Sequence, residues 1–145
     1  MAEVEIVLNN EDAASIERLS EEGNVLSDNN NFDAALIKFT TALSILPTPK
    51  INWEAALWLY ASIGDMYLFK EEYEFAMSNY YNALNCPDGQ GSGFVHLRLG
   101  ESLFELNDEK KALDHLLKAY MLDGKEIFED EEEKYFNFLN ENVEL

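Results

Sequence analysis

Gly89, Gly91 and Gly93 would suit a loop whose backbone amides wrap a phosphate. Such a loop needs a preceding strand and a Lys-Ser or Lys-Thr after its last glycine. Here Pro87-Asp88 precedes the first glycine and Phe94-Val95 follows the last, so the stretch reads as a turn. His96 and His115 could ligate a metal, but the pattern keeps them apart and neither has Cys or His companions at ligand spacing. Each therefore reads as packing or surface. Cys86 is the single cysteine, with no base beside it to activate a nucleophile. It permits no intrachain disulfide, which fits a reducing compartment. Carboxylates are abundant, but no pair is marked out for acid–base work. The expectation is a chain without catalytic residues, metal ligands or cofactor site, and so not an enzyme.

Charge is the stronger signal. There are 29 acidic residues against 10 basic ones, a formal net charge of −19. Nucleic acid is disfavoured as a partner, because phosphate contacts need Lys and Arg. An anionic membrane surface is disfavoured for the same reason. A basic protein partner fits, and so does simple solubility. The densest run is Glu129-Asp130-Glu131-Glu132-Glu133, which reads either as solvated surface or as a contact for a basic partner. A hydrophobic fraction of 47% and an aromatic fraction of 12% make the chain globular in spite of its charge. The opening Met1-Ala2-Glu3-Val4-Glu5 lacks the basic end and apolar core of a signal peptide. No apolar run approaches the roughly 20 residues that span a bilayer. The expected location is the cytoplasm, and the oligomeric state stays open.

The elements that must position these groups are helical. Gly23 is followed by Leu26, Ala35, Phe39, Ala42 and Pro47. Gly64 is followed at matching offsets by Tyr67, Ala76, Tyr80 and Ala83, with Pro87 one residue early. Gly100 is followed by Leu103, Ala112, Leu116 and Ala119. Such a recurring small–large series marks a helical repeat array. Its small residues let antiparallel helices approach, and a single pair cannot bury both faces, so pairs must stack. The chain divides into an N-terminal arm over 1–10, three helix pairs over 11–124, and an acidic segment with a capping helix over 125–145. Asn10 is the expected N-cap of the first helix. The third helix is expected to begin near Asn52, and the last to run from about Asp130 to Asn140.

Residues 16–124 resemble the tetratricopeptide repeats. The resemblance implies an all-α fold of three antiparallel helix pairs stacked as a short superhelix, closed by the C-terminal helix. Glycine to glycine is 41 residues, then 36, against a usual repeat of about 34. The first insertion is expected to lengthen the third helix backward and the second to lengthen a loop. In arrays of this kind the first helix of each pair lines a concave groove, and the residue after each signature glycine points into it. Those residues are Asn24, Asp65 and Glu101. Beside them stand Ser20, Trp58, Phe69, Phe94, Leu97, Arg98 and Phe104. The implied groove is acidic and aromatic. Similar modules that hold the carboxylate tail of heat-shock chaperones use a clamp of lysines and arginines. Arg98 is the sole basic groove candidate, so that ligand is not expected here.

A narrower likeness rests on Trp53-Glu54-Ala55 leading to Ile63-Gly64-Asp65, on Phe94-Val95-His96-Leu97-Arg98-Leu99-Gly100, on Ala119-Tyr120-Met121, on Gly124-Lys125-Glu126-Ile127-Phe128-Glu129, and on Lys134-Tyr135-Phe136. These stretches resemble small bacterial immunity proteins of polymorphic and contact-dependent toxin systems. The likeness implies a protein that binds and neutralises a cognate, basic toxin domain by occlusion. The partner-binding residues it suggests are Asn24, Trp58, Asp65, Phe69, Phe94, Arg98, Glu101, Glu129, Asp130 and Glu131. The alternative is an acidic repeat-type secretion chaperone that holds a client peptide in its concave groove.

Overall fold

The computed structural model describes residues 8–145. The segment 1–7 of the expected N-terminal arm lies outside the described residues. Seven α-helices follow in order: α1 (Asn10–Asp28), α2 (Phe32–Ile45), α3 (Glu54–Phe69), α4 (Tyr73–Leu84), α5 (Gly93–Glu105), α6 (Glu109–Asp123) and α7 (Glu133–Asn142). Helices α1–α2, α3–α4 and α5–α6 pack as pairs, α2 meets α3, and α4 meets α5. This is the stacked arrangement the repeat requires, with α7 laid on α6 as the cap.

The repeat positions explain the packing. A Cβ placed on Gly23 would stand 2.6 Å from the ring of Phe39, and one on Gly64 would stand 2.7 Å from that of Tyr80. On Gly100 it would stand 2.7 Å from Leu116. Each glycine thus accommodates the large residue of the partner helix directly above it. Phe39, Tyr80 and Leu116 are buried as a consequence, with Ala35, Ala42, Ala76, Ala83, Ala112 and Ala119 fully enclosed around them.

The turns inside the pairs are built alike. Asn30, Glu71 and Asn107 each adopt a positive φ, between 60° and 63°. In all three turns the next residue's amide reaches back five positions, as in Glu72 N to Tyr67 O at 2.8 Å. This is the hydrogen-bond pattern of a left-handed helix cap. Asn suits it; Glu71 adopts it at a cost, since a side chain with a Cβ is disfavoured there.

Several boundaries differ from the sequence expectation. Asn9, rather than Asn10, caps α1, its side chain accepting from the Asp12 amide at 2.8 Å. Helix α3 starts at Glu54 because residues Lys50–Asn52 form a short 3-10 turn. That turn is pinned by the Trp53 indole donating to Pro47 O and by Lys50 Nζ donating to Leu46 O. The first insertion is therefore spent partly on this turn. The second is a loop with its own 3-10 turn over Gly89–Gly91, pressed against the end of α4. A Cβ on Gly89 would collide with the backbone oxygens of Ala83 and Leu84. Helix α7 begins at Glu133, later than expected, because 129–132 is a turn.

After α6 the chain reverses at Gly124, whose φ of 78° suits glycine. The turn Lys125–Phe128 and helix α7 carry Phe128 and Leu139 onto a second apolar cluster with Leu97, Leu116 and Ala119. This cap closes the end of the array, with Asn137, Asn140 and Glu141 left exposed on its outer side. No helix among the described residues is long and apolar enough to cross a membrane.

Candidate functional site: an acidic and aromatic pocket on the concave face

The segment joining α6 to α7 does more than cap. It brings Glu131 back to helix α5, where Arg98 stands on the concave face. The Arg98 guanidinium meets three carboxyl groups: Asp65 on α3 through Nη1 at 3.2 Å, Glu131 through Nε at 2.7 Å, and Glu101 one turn along at 3.9 Å. The Nε–H is not aligned for a hydrogen bond, so its approach to Glu131 is an ion-pair contact. Phe94 and Phe69 both lie against the same group, their ring centres 4.8 and 5.5 Å from Cζ. Asp65 also accepts the Tyr80 hydroxyl, which joins the site to the residue packed over Gly64.

One cation among three carboxyls leaves a surplus of negative charge in a place that water hardly reaches. The Arg98, Asp65, Glu101 and Glu131 side chains are 14%, 18%, 4% and 8% exposed. Burial pushes Asp65 up to about 6, although Arg98 and the Tyr80 hydrogen bond pull the other way. Burial pushes Glu101 further, to about 9, aided by the hydrogen bond to Glu131 and by that group's charge. Glu101 is therefore held toward its neutral, protonated form. As a carboxylate, its Oε2 would be buried with no hydrogen-bond partner. Burial works against the charge of Arg98, but Asp65 and Glu131 outweigh it and raise its pKa.

Next to this cluster is an open cavity of about 360 Å³ between α3, α5 and the 130–135 segment. Phe32, Leu68, Glu71, Tyr73 and Tyr135 contribute to its wall together with Phe69, Arg98, Glu101, Asp130, Glu131 and Glu132. Tyr135 donates its hydroxyl to Glu105 at 2.8 Å, and Lys134 pairs with the same carboxylate, which fastens α7 to α5.

The structure brings six of the ten candidates into one cluster: Asp65, Phe69, Phe94, Arg98, Glu101 and Glu131. Asp130 lines the cavity but does not touch Arg98. Trp58, 56% exposed, shares a shallow depression with Phe94, Leu57 and Asp123. Glu129 faces a different cleft, beside Lys125, Phe128 and Phe136. Asn24 is exposed on α1, apart from the cavity. Two neighbours named from sequence leave the groove. Leu97 is buried at 1% exposure because it faces the cap, and Phe104 is covered by Tyr135 and Phe138.

The two histidines require a correction. They are not apart: His96 Nδ1 lies 3.0 Å from His115 Nδ1, with the rings stacked at 21°. His96 Nε2 lies 2.9 Å from Gln90 O and donates to it, which leaves Nδ1 to accept from His115. Burial lowers the pKa of His96, and it lowers that of His115 to about 4 with help from the charges of His96 and Lys118. The pair fastens the glycine loop to the third helix pair. The packing rule held the clue. His96 is one turn before Gly100, and His115 adjoins Leu116, the residue that covers Gly100.

Fold and site together define an all-helical array of the tetratricopeptide-repeat type, with an acidic and aromatic concave face. No family model matches the chain, and no curated protein matches its sequence. Solved structures do match. The tetratricopeptide domain of Arabidopsis OM64 superposes with a TM-score of 0.73 at 16% identity, over 91% of this chain and 99% of that one. The first such domain of Spaghetti (RPAP3), bound to the HSP90 peptide SRMEEVD, gives 0.69 at 17% identity, over 88% and 90%. The Sgt2 domain of Aspergillus fumigatus gives 0.67 at 21%, over 87% and 75%. At these identities the likeness establishes the fold.

Proposed function

We propose that this chain is an immunity protein. It binds a basic toxin domain in the cytoplasm through its concave face and neutralises it by occlusion. The observation that carries the reading is the charge of that face. Its arginine is engaged by Asp65, Glu101 and Glu131, so the surface it offers is acidic and aromatic. A partner with basic groups is attracted by such a surface, and one rich in carboxylates is repelled. The similar Spaghetti domain holds SRMEEVD, a peptide with three acidic residues. The fold therefore supports protein binding, and the residues here invert the charge of the partner. Trp58 and Phe69 supply exposed aromatic anchors of the kind that dominate protein interfaces, with the half-buried Phe94 beside them.

A secretion chaperone would need an open channel for an extended client. The 130–135 segment, which walls this face, favours a folded partner instead. Expression of the toxin domain encoded beside this gene, with and without this chain, tests the reading. Survival only in its presence, with a complex recovered on purification, is the expected result. Equal killing in both cultures and no complex would refute it. Binding of one short unfolded client segment, with no protection from a folded toxin, would favour the chaperone.

A further inference from the structure

The surplus of carboxyls around Arg98 points to a missing positive charge. Among the described residues five acidic side chains line the cavity (Glu71, Glu101, Asp130, Glu131 and Glu132), Arg98 is the lone basic group in its wall, and of the five Glu132 also pairs with Lys134 beside it. Arg98 is already occupied by Asp65 at its far side. Glu101 is 96% buried by the 4% exposure of its side chain, and its Oε2 has no hydrogen-bond partner. A buried carboxylate oxygen left without a donor is costly, so Glu101 is ionised at little cost only where a cation stands beside it.

We propose that this cavity is a receptor for a single basic side chain, arginine or lysine, projecting from the surface of a protein partner. Its volume of about 360 Å³ accommodates a guanidinium with its alkyl stem. Phe69, Tyr73 and Tyr135 give that stem apolar wall and give the cation ring faces. Glu101 and Glu131 then stand where the donors arrive. A metal ion fits less well: no group of three or more His, Cys, Asp or Glu among the described residues is placed to hold one. The aromatic walls suit an organic cation for the same reason. The cavity thus carries the opposite chemistry to a carboxylate clamp on the same kind of scaffold.

In the free protein a proton occupies the place of that cation. Burial, and then the neighbouring Glu131, raise the pKa of Glu101 and favour its protonated form. The other titratable or charged groups around it are Arg98 on its own helix, Asp65 on α3, Tyr80 on α4 and Tyr135 on α7, with Glu71, Tyr73, Asp130 and Glu132 in the same cavity wall. An incoming ammonium or guanidinium replaces the proton, so binding releases it. Affinity then rises with pH, by about tenfold per unit at most for one proton.

The identity of the partner as a toxin rests on the reading above; the chemistry of the pocket does not. The test is a titration of the isotope-labelled full chain, followed by nuclear magnetic resonance, at about pH 7 and about pH 9. The probe is the capped tripeptide acetyl-Gly-Arg-Gly-amide, and the control is its citrulline analogue, which is neutral and of the same shape. Expected are saturable shifts around Arg98, Glu101 and Tyr135 with the arginine peptide alone, and tighter binding at the higher pH. Glu101→Gln copies the neutral acid and so keeps the fold; it is expected to weaken binding and abolish the pH dependence. Absence of saturable shifts, equal shifts with citrulline, or the same pH response in Glu101→Gln overturns the proposal. A peptide that binds while the toxin goes unchecked removes the toxin reading and leaves the pocket. Protection from the toxin without peptide binding removes the pocket and leaves the reading.

Discussion

Replacing Arg98 by Met should be among the most damaging single changes in this chain. The side chain is 14% exposed and stands within 4 Å of Asp65, Glu101 and Glu131. Met fills much of the space between Phe69 and Phe94, so loss of packing is a minor part of the effect. What remains is a set of carboxyls from three segments with no cation among them. Removing one partner from a buried ion pair costs about 3–5 kcal/mol. In a domain of this size each kcal/mol moves Tm by about 2–4 °C, so the expected fall is about 6–20 °C. The loss should shrink in mild acid, because Asp65, already at about 6 with Arg98 present, takes up a proton more readily without it. Thermal melts followed by circular dichroism at pH 7.5 and pH 5 would measure both effects. Arg98→Lys, which keeps the charge but loses the fork, should fall between the two proteins. A fall in Tm of less than about 2 °C at the higher pH, or a gap that widens in acid, would refute the ion-pair reasoning.

Three further outcomes follow from other parts of the structure. His115 is held neutral down to about 4, while an unfolded histidine takes up its proton near 6.5. The unfolded chain then binds more protons, so stability should fall as pH drops through that window. His115→Leu should flatten the fall in urea denaturation measured across that range. Gly64→Val places carbon within the Tyr80 ring, whose hydroxyl Asp65 holds in place, and overpacking of this kind costs about 1–3 kcal/mol. The midpoint in urea should drop without a change in slope. Glu71→Asn relieves a left-handed residue at φ 60° and should stabilise the chain by about 0.5–1 kcal/mol. A neutral or lower midpoint in urea for that variant would count against strain at this turn.

The fold was legible because its signal is periodic. Gly23, Gly64 and Gly100, each followed by a large residue that covers it, encode helix contacts by local spacing alone. Gly100 and Leu116 meet because both lie on one helix pair, which a reader of the sequence can place. The pocket was half legible by the same logic. Asp65, Arg98 and Glu101 follow from their offsets to the signature glycines. Glu131 does not, because it enters through a turn after Gly124 whose path the repeat leaves undetermined. From sequence alone, one glutamate in a run of acids looks like every other; the structure buries Glu131 and leaves Glu129 and Asp130 exposed. Phe104 was misplaced for a similar reason, since its cover comes from Tyr135 and Phe138 beyond the repeats. The His96–His115 contact does not follow from metal-ligand spacing; it follows from both side chains flanking the Gly100–Leu116 contact.

The most direct test of the account is a calorimetric titration of this protein with the purified toxin domain encoded beside it. The account predicts a saturable complex whose affinity falls as salt is raised. It also predicts that Trp58→Ala combined with Glu131→Gln weakens the complex by at least about tenfold, as loss of an aromatic anchor and of a charge on this face should. No heat of binding, or an affinity that neither salt nor the double substitution changes, would contradict it.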